Sequence, residues 1–261
     1  MGWFRFHSYP ITNIYHCTVH KAGSQWLASL LSDEMILNKT GLKRFVYQEL
    51  LPGGFDPRKI TDRFFYLPFP EKRIITPLYL SYECYKSIIK PPAYKSIYIY
   101  RDPRDILVSY YHSVKQSHKL MGDIDSIREK LQQMDQEAGL IFCIQKLSEQ
   151  DFWMGMKSWK QANDPRLLQV PYEHLIGEKY NQEFEGILDH LEISLSKRQQ
   201  LLLVEKYKFE KLSGGRKAGV ESEGKHVRKG VAGDWINYFT PEVAKTFNNE
   251  AGEIHDFFGY K

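Results

Sequence analysis

Cysteine is scarce in this sequence, and its three cysteines lie far apart. Cys17, Cys84 and Cys143 are odd in number and include no Cys-x-x-Cys pair. A disulfide framework or a zinc ribbon needs cysteines at characteristic spacings, so the sequence argues against both. His16 and His20 fall on a predicted strand and the loop after it, rather than on one helix face, and make a poor metal pair. We therefore expect no metal site.

Long apolar runs and a strong charge of one sign are also missing. No stretch approaches the roughly 18 consecutive apolar residues of a membrane span. Residues 1–10 are aromatic and end in a proline, which is unlike a signal peptide. The formal net charge is only +4, without the concentrated basic face that is typical of nucleic-acid binders. We expect a soluble, cytoplasmic protein that binds neither a membrane nor a nucleic acid.

Material for a core is abundant, since 42% of the residues are hydrophobic and 14% are aromatic. Short β-prone runs alternate with helix-forming runs along the chain. Strands are predicted at residues 14–19, 45–50, 73–76, 96–100 and 167–170. Helical patterns cover residues 27–31, 81–89, 105–118, 123–161, 182–191, 196–206 and 241–258, the last with Thr240 as N-cap. This alternation predicts a single α/β domain over residues 1–261, with a central parallel sheet flanked by helices.

The loop between the first strand and the first helix reads His20-Lys21-Ala22-Gly23-Ser24-Gln25-Trp26. In a strand–loop–helix arrangement the first N–H groups of the helix point at the loop, and the helix dipole favours an anion there. Lys21 adds a cation, and the side chains of Ser24 and Gln25 add donors. The small residues Ala22 and Gly23 let the backbone approach a ligand closely. An ordinary tight turn with a surface lysine is the alternative.

A second candidate site lies where the strand at residues 96–100 gives way to a helix. In an open parallel sheet, ligands bind at the carboxyl ends of the strands. Arg101, at the end of this strand, can bind a phosphate through two N–H groups, and Ser109 in the helix could reach the same group. A helix start held by Arg–Asp ion pairs is the alternative.

A basic loop late in the chain is the third candidate. Residues 214–230 contain five cations and two anions, namely Arg216, Lys217, Lys225, Arg228 and Lys229 against Glu221 and Glu223. Such a glycine-punctuated loop is either a solvated surface or a clamp that becomes ordered on an anionic ligand.

In this order, the three segments resemble the sulfotransferases that use 3′-phosphoadenosine 5′-phosphosulfate (PAPS), of the bacterial, cytosolic type that acts on small molecules. Residues 20–26 resemble the family's 5′-phosphosulfate loop, usually Pro-Lys-Ser-Gly-Thr-Thr-Trp, and residues 100–111 resemble its 3′-phosphate segment. Residues 228–240 are similar to its C-terminal segment, and residues 171–175 and 208–210 carry weaker similarities. The resemblance implies a P-loop-like nucleotide-binding core, PAPS as the sulfuryl donor and no metal.

The resemblance also implies a role for each matching residue. The 5′-phosphosulfate would be held by Lys21, Ala22, Gly23, Ser24 and Gln25. The 3′-phosphate would be held by Arg101, Ser109, Arg228, Lys229 and Gly230. The adenine would be held by Trp26, Tyr172 and Phe209. The reaction implied is in-line transfer of a sulfuryl group to a hydroxyl or amine of a small acceptor, with Lys21 neutralising charge on the departing phosphate. We expect a monomer or a homodimer.

One departure from the family concerns the general base. Cytosolic members carry a catalytic histidine in a Lys-Thr-His segment, whereas the comparable residues 73–79 contain no histidine. Glu49, near the end of a predicted strand, is the first candidate for the base, and His20 beside Lys21 is the second. His112, on the helix after Arg101, is better explained as a packed or capping residue.

Two other functions remain possible from the sequence. A non-catalytic nucleotide-binding protein could have kept the PAPS site and lost its base, although such a protein would not need Lys21. A P-loop nucleotide kinase would carry Gly-x-x-x-x-Gly-Lys-Ser/Thr. Residues 219–225 match the first part of that motif, but His226 follows, no strand precedes it and two glutamates lie inside it.

Overall fold

The computed structural model describes residues 9–118, 120, 122–220, 228–252 and 254–260. The strands of this part are β1 (Asn13–Thr18), β2 (Lys43–Phe45), β3 (Arg73–Tyr79), β4 (Tyr94–Tyr100) and β5 (Leu167–Pro171). Its α-helices are α1 (Ser24–Leu31), α2 (Glu34–Thr40), α3 (Tyr82–Ser87), α4 (Pro103–His112), α5 (Ile124–Gln132), α6 (Gln136–Glu149), α7 (Phe152–Ser158), α8 (Tyr180–His190), α9 (Lys197–Lys206), α10 (Phe209–Leu212), α11 (Pro241–Ala251) and α12 (Ile254–Phe257).

β1 is the central strand, and the chain builds the sheet outward from it in two directions. The strand order is β2-β3-β1-β4-β5, and every pair is parallel. Where the connections from neighbouring parallel strands leave toward opposite sides, a crevice opens at the carboxyl ends of those strands. The loops after β1 and β4, which carry the first two motifs, therefore lie beside each other at one edge of the sheet.

Helices cover the two faces of the sheet, because successive residues of a strand point to opposite sides. Ile14 packs in one buried cluster with residues of α1, α8 and α9. Tyr15 belongs to a second buried cluster, in which Trp159 stacks on Tyr98 with ring centroids 4.0 Å apart. A further cluster joins α4, α6, α7 and α11. The predicted α/β architecture, with a parallel sheet flanked by helices, is confirmed.

The second strand is shorter than the sequence predicted. β2 ends at Phe45, and Tyr47–Leu50 forms a 3₁₀ turn instead of continuing the strand. Tyr47 is buried there, where its hydroxyl donates to Asp56 at 3.2 Å and its ring packs against Phe65. Burial of this aromatic side chain turns the chain inward and ends an edge strand that has only one neighbour.

Other predicted helices are divided into shorter pieces. Thr240 does cap α11, accepting from the N–H of Val243 at 3.3 Å, but α11 ends at Ala251 because Gly252 takes a φ of 59°. The predicted helix over residues 105–118 becomes α4 followed by a π-helical turn, Ser113–Ser117. Within the described residues, no helix is long and apolar enough to cross a membrane.

Candidate functional site

The loop after β1 folds around the side chain of Tyr79, the last residue of β3. The Tyr79 hydroxyl is 2.9 Å from the Ser24 hydroxyl and accepts from Gln25 Nε2 at 3.1 Å. The His20 ring stacks on the Tyr79 ring, with centroids 4.1 Å apart and planes inclined by 13°. Lys21 takes a left-handed φ of 67°, which an L-residue adopts only at a cost. The loop is therefore held in one unusual shape by a residue from another strand.

A cavity of about 820 Å³ opens beside this loop. It is lined by residues from all three sequence motifs, namely His20, Lys21, Gly23, Ser24, Gln25, Trp26, Arg101, Ser109, Arg228, Lys229 and Gly230. Tyr172 and Phe209, from the two segments with weaker similarities, also line it. Ala22 of this loop is fully buried and does not line the cavity. Segments that are distant in the sequence thus share one concave site at the carboxyl ends of β1 and β4.

One end of the cavity is built from aromatic rings packed against glycines. Gly23 has a φ of 86°, and a Cβ atom there would lie 2.4 Å from the Tyr172 ring. Gly230 has a φ of 66°, and a Cβ atom there would lie 2.1 Å from the Phe209 ring. Trp26 is fixed by donation from its Nε1 to the carbonyl of Tyr207 at 2.9 Å. These flat faces are suited to stack on a planar base.

Arg101 lies in the wall next to these rings, with its guanidinium carbon 4.9 Å from the centroid of the Tyr172 ring. Its Nη2 donates to the carbonyl of Val231 at 3.2 Å and lies 3.5 Å from Asp105 Oδ2. Its Nε is buried and has no hydrogen-bond partner among the described residues. Because buried donors are nearly always paired, this N–H fits an anionic ligand bound in the cavity.

Two aspartates attach the late basic loop and the residues that follow it to this wall. Asp105 accepts hydrogen bonds from the backbone N–H groups of Gly233 at 2.8 Å and Trp235 at 3.0 Å. These two residues lie 128 and 130 positions further along the sequence. Asp234 contacts Arg228 Nη2 and Lys229 Nζ, each at 2.5 Å. Burial alone would raise the pKa of Asp234, but hydrogen bonds from Lys229 and Arg228 hold it below its ordinary value. The carboxylate therefore keeps both cations at the cavity wall.

A family model, described as the sulfotransferase domain, matches residues 12–253 of this chain. The chain belongs to the sulfotransferase family. It is 24% identical to cytosolic sulfotransferase 17 of Arabidopsis thaliana, over 88% of this chain and 70% of that protein. It is 23% identical to sulfotransferase 1B1 of Mus musculus, over 95% of this chain and 85% of that protein.

A solved structure shares the fold of this chain. The structure of mouse sulfotransferase SULT7A1 complexed with PAP matches 94% of this chain and 84% of its own, with a TM-score of 0.64 and 21% identity. The resemblance predicted from the sequence is thus confirmed, and the chain is a PAPS-dependent sulfotransferase. The kinase and the non-catalytic binding protein are not favoured. Residues 221–227, which hold most of the kinase-like motif and Glu221, Glu223, Lys225 and His226 of the basic loop, lie outside the described residues.

Glu49 lies outside the site of this sulfotransferase. Its side chain is 64% exposed, pairs with Arg44 at 3.2 Å and does not line the cavity. The cause is the early end of β2, which leaves Glu49 on a 3₁₀ turn rather than at a strand end. This geometry argues against Glu49 as the base. His112 packs at the edges of the Tyr111 and Tyr238 rings, as the sequence suggested.

The sequence did not identify Tyr79 and His118, two of the residues that line the cavity beside His20. Tyr79 ends β3, three residues beyond the strand predicted at residues 73–76, and a tyrosine there carried no signal of function. The sequence predicts His118 as the last residue of a helix over residues 105–118, whereas it follows the π-helical turn Ser113–Ser117 and lines the cavity.

We expect Gly230→Ala to weaken binding of the desulfated nucleotide, 3′-phosphoadenosine 5′-phosphate (PAP), by about tenfold or more, measured by calorimetry. The added methyl group would displace the Phe209 ring, in addition to the cost of a left-handed φ for alanine. Gly214→Ala is the matched control, since Gly214 has a φ of 76° and open space around it. Equal losses in the two variants would mean that backbone strain alone is responsible and the Phe209 contact contributes nothing.

Proposed function

We propose that this sulfotransferase transfers the sulfuryl group of PAPS to a hydroxyl or amine of a small-molecule acceptor by in-line displacement, in the cavity at the carboxyl ends of β1 and β4. The observation that carries the proposal is the convergence of the three motifs on this one cavity. The cavity also provides the two kinds of group that the nucleotide needs. It offers cations for two phosphate groups and flat rings for a base.

The residues that would hold PAPS divide into three groups. Lys21, Gly23, Ser24 and Gln25 would bind the 5′-phosphosulfate, with Ala22 fully buried in the same loop. Arg101, Ser109, Arg228, Lys229 and Gly230 would bind the 3′-phosphate. Trp26, Tyr172 and Phe209 would enclose the adenine. The buried Nε of Arg101 has no hydrogen-bond partner in the described part of the chain, and a phosphate oxygen would supply its acceptor, which supports this orientation.

The chemical role that we assign to Lys21 follows from its surroundings. PAPS supplies an activated sulfuryl group whose leaving group is a phosphate. Lys21 lies in the same loop as the donors of Ser24 and Gln25, in a partly closed cavity where an ion pair is stronger than in water. Its ammonium would neutralise the negative charge that develops on the departing phosphate, without reorganising at the moment of reaction.

The direct test is incubation of the protein with PAPS and separate panels of phenols, alcohols and amines. We expect a mass gain of one sulfate on at least one class of acceptor, with stoichiometric formation of PAP. The same incubations without PAPS are the control. Tight PAP binding without transfer to any acceptor would favour the non-catalytic alternative instead.

We also expect PAP affinity to fall as the pH rises above about 8. Burial, followed by repulsion from Arg101 and Arg228, lowers the pKa of Lys21 from its ordinary value to about 8. An anionic ligand favours the charged form, so the bound state has the higher pKa. Binding is then strongest below the pKa of Lys21 in the free protein. It weakens as the pH rises from that pKa to the higher pKa of the complex, because the free protein must then take up a proton in order to bind.

This linkage can be measured by calorimetry in buffers with different ionisation enthalpies. At pH 8 binding should take up about half a proton per site, because Lys21 is then half deprotonated in the free protein. In Lys21→Met the uptake should disappear. Proton uptake that persists in that variant would assign the titration to another group.

The broader properties that we propose follow the sequence analysis. Residues 1–261 form one sulfotransferase domain, which acts in the cytoplasm as a monomer or homodimer. It requires no metal and binds no nucleic acid or membrane. Among the described residues, no cluster of three or more histidine, cysteine or acidic side chains could hold a metal ion. Gel filtration tests the oligomeric state, and an activity assay with a chelator tests whether a metal is required.

A further inference from the structure

The proposed role of Lys21 places the reacting sulfuryl group at the end of the cavity next to Lys21. If that role is correct, the general base is a side chain at this end. His20, Tyr79 and His118 all line the cavity. His118 is close enough to His20 to influence its ionisation, so the two imidazoles share this end. An acceptor approaching the sulfuryl group from the side opposite the nucleotide would meet these side chains.

His20 and Tyr79 are poorly suited to accept a proton. Burial of the His20 ring, followed by the nearby charges of Arg63, His118 and Lys21, lowers its pKa to about 3. A base of that strength removes a proton from a hydroxyl inefficiently. Burial raises the pKa of Tyr79, and its hydroxyl is occupied by Ser24 and Gln25. Both rings therefore shape the loop rather than take part in proton transfer.

His118 reaches the cavity through an unusual backbone turn. Its N–H donates to the carbonyl of Ser113 at 2.7 Å, an i→i+5 bond that closes the π-helical turn Ser113–Ser117. Such turns are rare and recur at functional sites. A π-helical turn holds one residue more than an α-helical turn. Without that additional residue, the end of α4 would present a different side chain to the cavity.

Arg128 of α5 fixes both ends of this turn. Its Nε donates to the carbonyl of Val114 at 2.9 Å, and its Nη2 donates to the carbonyl of His118 at 2.5 Å. The backbone of His118 is thus held in place by a neighbouring helix. The residue itself is partly exposed, so its imidazole can return a proton to the solvent after each reaction.

We propose that His118 is the general base of this sulfotransferase. Its imidazole accepts the proton of the acceptor hydroxyl as that oxygen forms its bond to sulfur. The bond between sulfur and the bridging phosphate oxygen breaks in the same step, and Lys21 neutralises the charge on the phosphate that leaves. The products are a sulfate ester, PAP and an imidazolium, which loses its proton to water.

His118→Gln, assayed with phenols of graded acidity, tests this proposal. A general base matters most when the acceptor holds its proton tightly, and it contributes about 10²–10⁴ in rate. We expect kcat/KM to fall by about 10²–10³ for an unsubstituted phenol and by less than about tenfold for a nitrophenol, which is largely ionised at the assay pH. PAP affinity should be unchanged, which also shows that the cavity is intact.

His174→Gln is the matched control. His174 is also partly exposed and pairs with Glu183 at 2.8 Å, a contact that glutamine can keep, and it does not line the cavity. It should retain wild-type rates with every phenol. If His118→Gln loses PAP affinity, His118→Ala with added imidazole supplies a second readout, in which recovery of rate with the unsubstituted phenol supports the proposal.

Three outcomes would overturn the assignment. A loss of the same size across all phenols would mean that His118 only positions the acceptor. Undiminished activity of His118→Gln would remove it from the reaction while leaving the sulfotransferase intact. A loss graded with acceptor acidity in Glu49→Gln, instead of His118→Gln, would move the base to Glu49. Failure of the wild-type protein to sulfate any acceptor would be a separate result, against the proposed function itself.

Discussion

Lys21→Met is expected to lower kcat by about 10²–10³, the usual loss when one preorganised electrostatic contact to a transition state is removed. Methionine has a similar length but carries no charge, so the loop can keep its shape. In the proposed reaction Lys21 faces the charge that develops on the phosphate as its bond to sulfur breaks, and this charge is absent from ground-state PAPS. The affinity for PAPS should therefore fall by a smaller factor than kcat.

Steady-state kinetics with PAPS, together with calorimetric titration of PAPS without an acceptor, separates the two effects. Lys39→Met is a suitable control, because Lys39 is an exposed cation in the last turn of α2, away from the cavity. It should leave both quantities unchanged. A Lys21 variant that binds PAPS poorly but keeps its kcat would show that this ammonium acts only in ground-state binding.

Arg101→Ala is expected to weaken PAP binding by about 30-fold, which corresponds to about 2 kcal/mol. The variant removes a charge-assisted contact from a partly desolvated phosphate, and it removes the donor at Nε that has no partner among the described residues. Adenosine 5′-phosphosulfate lacks the 3′-phosphate, so its affinity should fall by a smaller factor. Arg101→Lys should be intermediate, because lysine keeps the charge without the planar fork.

Thermal unfolding of Arg101→Ala is needed beside the titrations. Arg101 also contacts the carbonyl of Val231 and the carboxylate of Asp105, so the variant could loosen the late basic loop. A variant that stays folded and loses equal affinity for both nucleotides would show that Arg101 does not recognise the 3′-phosphate. A nucleotide-dependent difference in a stable variant would identify the 3′-phosphate as its partner.

Local features of the sequence were enough to predict the loops around the site. Lys21, Gly23 and Ser24 follow a buried strand and precede a helix, and that order places helix N–H groups beside a cation whatever the rest of the chain does. The same holds for Arg101, at the end of β4. Alternation of strands and helices then predicted the parallel sheet, since parallel strands need such crossovers.

The position of Glu49 could not be predicted from local sequence. Its predicted strand depended on continued pairing along β2, but pairing at a sheet edge competes with burial of nearby aromatic side chains. Tyr47 is buried against Phe65 and Asp56, so the strand ends and Glu49 is left in solvent. Neither partner of Tyr47 could be identified from the pattern around it.

The composition of the reacting end of the cavity was decided only by the tertiary structure. Tyr79 meets Ser24 because β3 pairs with β1, a contact across 55 residues. His118 faces the cavity because one additional backbone residue is accommodated in a π-helical turn that Arg128 holds. Asp105 holds the backbone of Gly233 across 128 residues. A sequence motif specifies what a segment can bind, whereas long-range packing selects which side chains of other segments stand opposite it.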